Sequence, residues 1–151
     1  MKVTVGKVLC YIIDRGRVLV FLHRDHPEAG LQVPAGTIRR GEEPQDAALR
    51  EATEETGLDG LVVVRFLGRV AYDISPIRDE IQDRHVFQLA TTGPAPEEWT
   101  HHELHDGTRP PTFFCFFWLP LGHPDLATLV VGQGALLDQV VATEPPATPR
   151  C

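Results

Sequence analysis

Glu51, Glu54 and Glu55 stand at i, i+3 and i+4, a spacing that puts three carboxylates on one face of a helix. Carboxylates so crowded repel one another unless a cation sits among them. Hard divalent ions take oxygen ligands. Mg²⁺ is the natural partner and commonly arrives with a phosphate substrate, while Mn²⁺ shares its ligand preference and should substitute. Glu42, Glu43 and Asp46 add charge just before this run, and Gly36 and Gly57 bracket it. Arg50, four residues before Glu54, is close enough to pair with it, a role that orients carboxylates without doing chemistry. Taken alone, the three glutamates read more readily as a solvated helix face. The surrounding pattern decides otherwise.

The elements that must hold these residues can be read from local signals. Pro44 suits the first turn of a helix and Gly57 the position that ends it, and the interior Asp46–Glu55 has neither Gly nor Pro. Ala47, Ala48 and Ala52 form a small-residue face able to approach a sheet, which leaves the glutamates to line a cleft. Lys7–Ile13 and Val18–His23 are apolar β-runs joined by the turn Asp14-Arg15-Gly16-Arg17. Asp25–Gly30 reads as a loop. Leu31–Gly36 reads as a short extended segment, because Val33 precedes Pro34. Further strands are expected over Leu61–Ile74, broken at Gly68, and over Arg84–Thr91. Thr112–Leu119 should be a strand buried on both faces. Thr92–Pro111 reads as a long irregular segment, and Gly134–Ala142, with Leu136, Leu137, Val140 and Val141 at helical spacing, as a second helix on the sheet. One domain over residues 1–142 is expected, with a disordered, proline-rich tail over 143–151. Spacing alone gives a single α/β domain.

The glutamate segment also matches a known signature. Gly36, five residues, Glu42, seven residues, Arg50-Glu51, apolar Ala52, Thr53, Glu54-Glu55, Thr56, Gly57 and apolar Leu58 agree at every position with the Nudix box. The chain thus resembles the Nudix hydrolases. The resemblance implies an α/β/α sandwich with a mixed β-sheet between helices. It also implies a Mg²⁺-dependent pyrophosphohydrolase that cleaves a phosphoanhydride in a nucleoside diphosphate linked to another moiety X. By the family's pattern Glu51, Glu54 and Glu55 are metal ligands, joined by the backbone carbonyl of Gly36, and Glu51 is ligand or general base. A glycine at 36 is expected because that carbonyl must approach the ion in a tight turn. Arg50 would hold the loop glutamate Glu42, with Gly57 as structural support. In some members a later loop supplies an extra glutamate, for which Glu97, Glu98 and Glu103 are candidates.

Beyond the box the candidates are looser. His23, Arg24 and Arg39 flank the expected cleft and could hold phosphate or base, although an exposed arginine is more often a plain surface charge. Trp99 could stack on a nucleobase beside Glu98; the competing reading is an anchor for a surface loop. His101, His102 and His105 read as a polar loop and not as a metal site. Family substrate markers are absent: position 74 is Ile, with Tyr72 and Pro76 off the expected spacings. The substrate stays unnamed. A sanitiser of oxidised nucleoside triphosphates and a non-catalytic metabolite sensor are the alternatives, the latter disfavoured by an intact box.

Composition limits the rest. The net charge is −7, with no basic run or stripe, which argues against a nucleic-acid partner, including an RNA-decapping role. No apolar stretch of membrane length and no signal pattern occur, so no membrane partner and a cytoplasmic location are expected. Cys10, Cys115 and Cys151 are odd in number and far apart, as expected of free thiols without a zinc site. By family analogy a homodimer could use the apolar N-terminal strands.

Overall fold

The computed structural model describes residues 2–103 and 109–141. His105 and the tail beyond Val141 lie outside the described residues. Seven strands and one α-helix are built: β1 (Val3–Asp14), β2 (Arg17–His23), β3 (Ala35–Thr37), α1 (Pro44–Thr56), β4 (Leu61–Asp73), β5 (Glu80–Thr91), β6 (Glu98–Glu103) and β7 (Thr112–Pro120). They form a mixed sheet in the order β4-β5-β1-β2-β7-β6, with β3 on β1. Among the described residues only β1 and β5 pair in parallel.

The sheet splits where the site will form. Arg15 and Gly16, at φ 50° and 71°, make the two-residue turn between β1 and β2, whose twist suits a hairpin. The two strands then pair only at Ile13↔Val18 and Asp14↔Arg17. From there β1 runs on along β5, while β2 runs along β7. The chain around Pro34 fills the gap. Cys10 N–H donates to the Pro34 carbonyl at 2.9 Å, Gln32 bridges to Phe21, and β3 pairs with Lys7–Leu9.

Helix α1 begins at Pro44 and ends at Gly57, which takes a left-handed φ of 75° and donates its N–H to the Thr53 carbonyl at 2.9 Å. Ala47, Ala48 and Ala52 are fully buried against the sheet, so close that Cys10 Sγ lies 3.5 Å from the Ala48 carbonyl. Larger side chains there would hold the helix off.

The opposite face corrects one expectation. Of the expected helix Gly134–Ala142, the described part, 134–141, is not an α-helix: short 3₁₀ turns over Pro124–Thr128, Val130–Gly132 and Leu137–Gln139 cover this side. Polar side chains from the core take their backbone groups. Tyr11 Oη donates to the Gln133 carbonyl at 2.5 Å, the Leu136 N–H donates to Tyr11 Oη, and the Gln88 amide bonds both N–H and C=O of Val141. These bonds replace a helical ladder. The aliphatic residues Leu136, Leu137 and Val140 still pack on the sheet.

Two smaller corrections follow from the same accounting. Thr112–Leu119 is buried on one face only, through Phe114, Phe116 and Trp118, because β7 lies beside the edge strand β6 where α1 covers one side. Thr92–Pro111 is not wholly irregular: β6 pairs antiparallel with β7, its polar alternation masking a strand. The apolar runs Val8–Ile13 and Val18–Phe21 are core. Among the described residues no helix is long and apolar enough to cross a membrane.

Candidate active site

A cavity of about 590 Å³ opens at the split in the sheet, bordered by Glu51 and Glu55 of α1, Gly36 and Thr37 of β3, Lys7 of β1, Arg84 of β5 and Glu103 at the end of β6. Carboxylates from two elements thus face one space.

Arg50 organises the helix side. Its guanidinium grips Glu42 through both carboxylate oxygens at 2.8 Å, donates to Glu51 Oε1 at 2.8 Å, and reaches the Thr37 carbonyl at 3.0 Å. Glu42 also accepts the Arg39 backbone N–H at 3.0 Å. These bonds, Arg50 first, hold the Glu42 carboxyl down at about 2. The expected Arg50–Glu42 support is therefore present, and it reaches Glu51 as well.

Gly36 has a steric reason that the sequence did not show. Its backbone has no left-handed φ, but a β-carbon there would lie 2.0 Å from Glu51 Cδ. The missing side chain makes room for the carboxylate that Arg50 holds. Glu55 lies deeper. Burial, the Glu103 charge and the Glu51 charge push its carboxyl well above the ordinary range, opposed by a hydrogen bond from the Ala35 backbone. A buried carboxylate among like charges is where a cation gains most. Among the described residues no preformed cluster of three His, Cys, Asp or Glu is close enough to hold a metal ion. The donor chemistry of Glu51, Glu55 and Glu103 nonetheless suits a hard divalent ion.

Glu54 departs from the expected set. Its side chain is 56% exposed, 3.5 Å from Arg50 and 4.0 Å from Arg39, and neither it nor Arg39 borders the cavity. Arg24 also lies elsewhere, paired with Asp25 and stacked 3.9 Å over the Phe113 ring. Trp99 is a packing residue: it stacks on Phe116 at 5.2 Å and donates its indole N–H to the Thr56 carbonyl at 2.8 Å. One face of its ring is taken by Phe116, and the residue does not border the cavity that holds Glu51 and Glu55. Glu98 is exposed beside it, and Glu97 pairs with Arg17 at 2.6 Å. Of the three late glutamates only Glu103 borders the cavity.

Strand β6 does more than supply Glu103. His101 Nδ1 lies 3.0 Å from the Glu55 carbonyl, so with Trp99 it occupies two carbonyls at the C-terminus of α1. His23 borders the cavity beside Phe21 and Phe114. Lys7, Arg78, Gln82, Arg84 and Gln133 border it too and were not singled out from the sequence. The available signal was a charged residue opening each of two apolar strands, Lys7 and Arg84, in step with buried neighbours.

The NUDIX domain model matches residues 4–139. A Cereibacter sphaeroides protein named RNA pyrophosphohydrolase is 33% identical over 150 residues, covering 92% of this chain and 87% of that one. The MutT NUDIX hydrolase of Burkholderia pseudomallei superposes with a TM-score of 0.64 at 22% identity, over 91% of this chain and 98% of that one. A UDP-X diphosphatase superposes with a TM-score of 0.64 at 13% identity, over 92% of this chain but 62% of that one. At these identities the two solved structures speak for the fold alone.

Proposed function

This chain belongs to the Nudix hydrolase family, and on that premise we propose a Mg²⁺-dependent pyrophosphohydrolase that cleaves a nucleoside diphosphate linked to another moiety X. That it hydrolyses phosphoanhydrides follows from the family and from relatives named as pyrophosphohydrolases. The observation that carries the finer reading is Glu55, half-buried beside Glu51 and Glu103 at the cavity edge, with its carboxyl pushed well above the ordinary range. Such a residue costs stability unless a ligand restores its charge.

A phosphoanhydride resists attack because its own oxygens repel nucleophiles. The chemistry a divalent ion supplies when bound there is charge neutralisation and acidification of water. Glu51 and Glu55 would hold it, with Glu103 as a further ligand or as the base that takes the water's proton. Arg50 keeps Glu51 against Gly36 and cannot titrate, so it positions without exchanging protons. Glu54, from its outward placement, would join only by turning its side chain away from Arg50.

A second reading, hydrolysis at a triphosphate-bearing RNA end, is favoured by the name of the 33%-identical relative. Against it stand the net charge of −7 and the lack of a basic stripe. A screen with Mg²⁺ at alkaline pH separates the two: NDP-sugars, dinucleoside polyphosphates, oxidised dNTPs and 5′-triphosphate RNA, with Glu55→Gln as control. We expect a small nucleotide to be cleaved, and Glu55→Gln to lose at least about 10²-fold in kcat while its metal-free Tm rises, since a raised buried carboxyl is removed. Turnover near wild type in Glu55→Gln would sink the assignment. Exclusive turnover of RNA would replace X by an RNA chain.

A further inference from the structure

The wall of the cavity away from α1 is cationic, and nothing in the hydrolytic chemistry accounts for it. Arg84 is 2% exposed, yet its partners are neutral. Nη1 donates to the Val131 carbonyl at 2.6 Å, Nε donates to Gln82 Oε1 at 3.0 Å, and the Tyr72 ring lies 4.3 Å from the guanidinium carbon. Among the described residues no carboxylate pairs with Arg84, whose hydrogen bonds run from Nη1 and Nε to neutral oxygens. Glu80 reaches it only through Gln82, whose amide donates to Glu80 at 3.2 Å.

Lys7 stands next to it. It is the Cα partner of Thr37 on β3 and of Arg84 on β5, so the three residues form a row on one face of the sheet. Its ammonium donates to Thr37 Oγ1 at 2.7 Å. Strands lie about 4.8 Å apart, which sets Arg84 roughly 10 Å across the sheet from the β3 segment that packs on Glu51. Arg78 borders the same wall. Burial draws the pKa of both Lys7 and Arg84 below the ordinary values, the mark of cations without adequate counter-charge. A buried charge left unpaired is costly, and a guanidinium fork is suited to a phosphoryl group.

We propose that Arg84 and Lys7 form an anion subsite, across the sheet from the carboxylates, that holds a phosphoryl group beyond the two joined by the bond that is cut. The substrate class is then a nucleotide derivative with three or more phosphoryl groups, in preference to a diphosphate whose X is a neutral sugar. This rests on reading the cavity as the substrate site, so the test must not depend on turnover.

Inorganic phosphate is titrated into metal-free protein while the ¹⁵N resonance of the Arg84 side chain is followed. That resonance should move and saturate, and Arg84→Lys and Lys7→Met should each weaken phosphate about tenfold. The hydrolysis screen reports separately on the parent reading. For its best substrate, Arg84→Lys should raise KM about tenfold with kcat within about threefold. A purely structural arginine would lower Tm in the variants and leave phosphate affinity unchanged. An Arg84 resonance indifferent to phosphate in the wild type overturns the proposal without needing any variant to fold.

Discussion

A methyl group at position 36 would collide with the Glu51 carboxylate, and that carboxylate cannot retreat freely because Arg50 holds it at 2.8 Å. Gly36→Ala should therefore lower kcat/KM by about 10²-fold, the order expected for a displacement of about 1 Å. Its thermal midpoint should stay within a few degrees of wild type, because no left-handed backbone is lost. Parallel kinetics and calorimetry on the purified variant check this; loss of stability without loss of activity would contradict it. The sequence made the glycine conspicuous but gave no sign of this steric cause. A box motif records which residue types recur, whereas the collision involves a side chain fifteen positions later, visible only once α1 lies on β3.

Helix α1 was legible because its start, stop and small face are local signals, and the structure returns it with Pro44 and Gly57 at its ends. The segment after Pro120 was not, because Tyr11 and Gln88 divert its backbone hydrogen bonds while its own Gln133 side chain takes the Val33 N–H, and no window of neighbouring residues contains that fact. Strand β6 was hidden for a related reason: its partners lie on β7 and on the end of α1. At that junction Gly57 does two jobs, taking φ 75° and leaving space for His101, whose Cδ2 would lie 2.5 Å from an added β-carbon. Gly57→Ala should cost about 1–2 kcal/mol for the left-handed backbone, with further loss as His101 leaves the Glu55 carbonyl. Gly57→Asn, which tolerates that conformation better, should fall between. Urea midpoints rank the three; equal midpoints for Ala and Gly would refute the double role.

Across the molecule the carboxylates divide by the sign of their contribution. Glu42 and Asp73 are held down to about 2 by Arg50 and Lys2, and Asp83 and Glu97 are lowered by Arg69 and Arg17. A folded-state value below the unfolded one adds stability above the unfolded value and forfeits it as pH falls through the folded one. Stability should thus decline from about pH 4.5 towards pH 2. Glu55, raised instead, opposes the others: it costs stability increasingly as pH rises from the unfolded carboxyl value through its own. In Glu55→Gln the metal-free protein should therefore gain stability near neutrality and little below pH 4.5. Urea titrations across pH measure both limbs, and a gain in Glu55→Gln that did not vary with pH would contradict the second.

The seam between β1 and β2 also bears on when the protein becomes competent. The carboxylate helix can form early from its own neighbours, but Arg84 is anchored on Val131, 47 positions later, and Tyr11 on Gln133, 122 positions away. Contacts of such separation close late and slowly. A chain emerging from synthesis therefore carries the glutamate segment long before it has a pocket. The cavity is complete only when Val131 and Gln133, which border it, are in place.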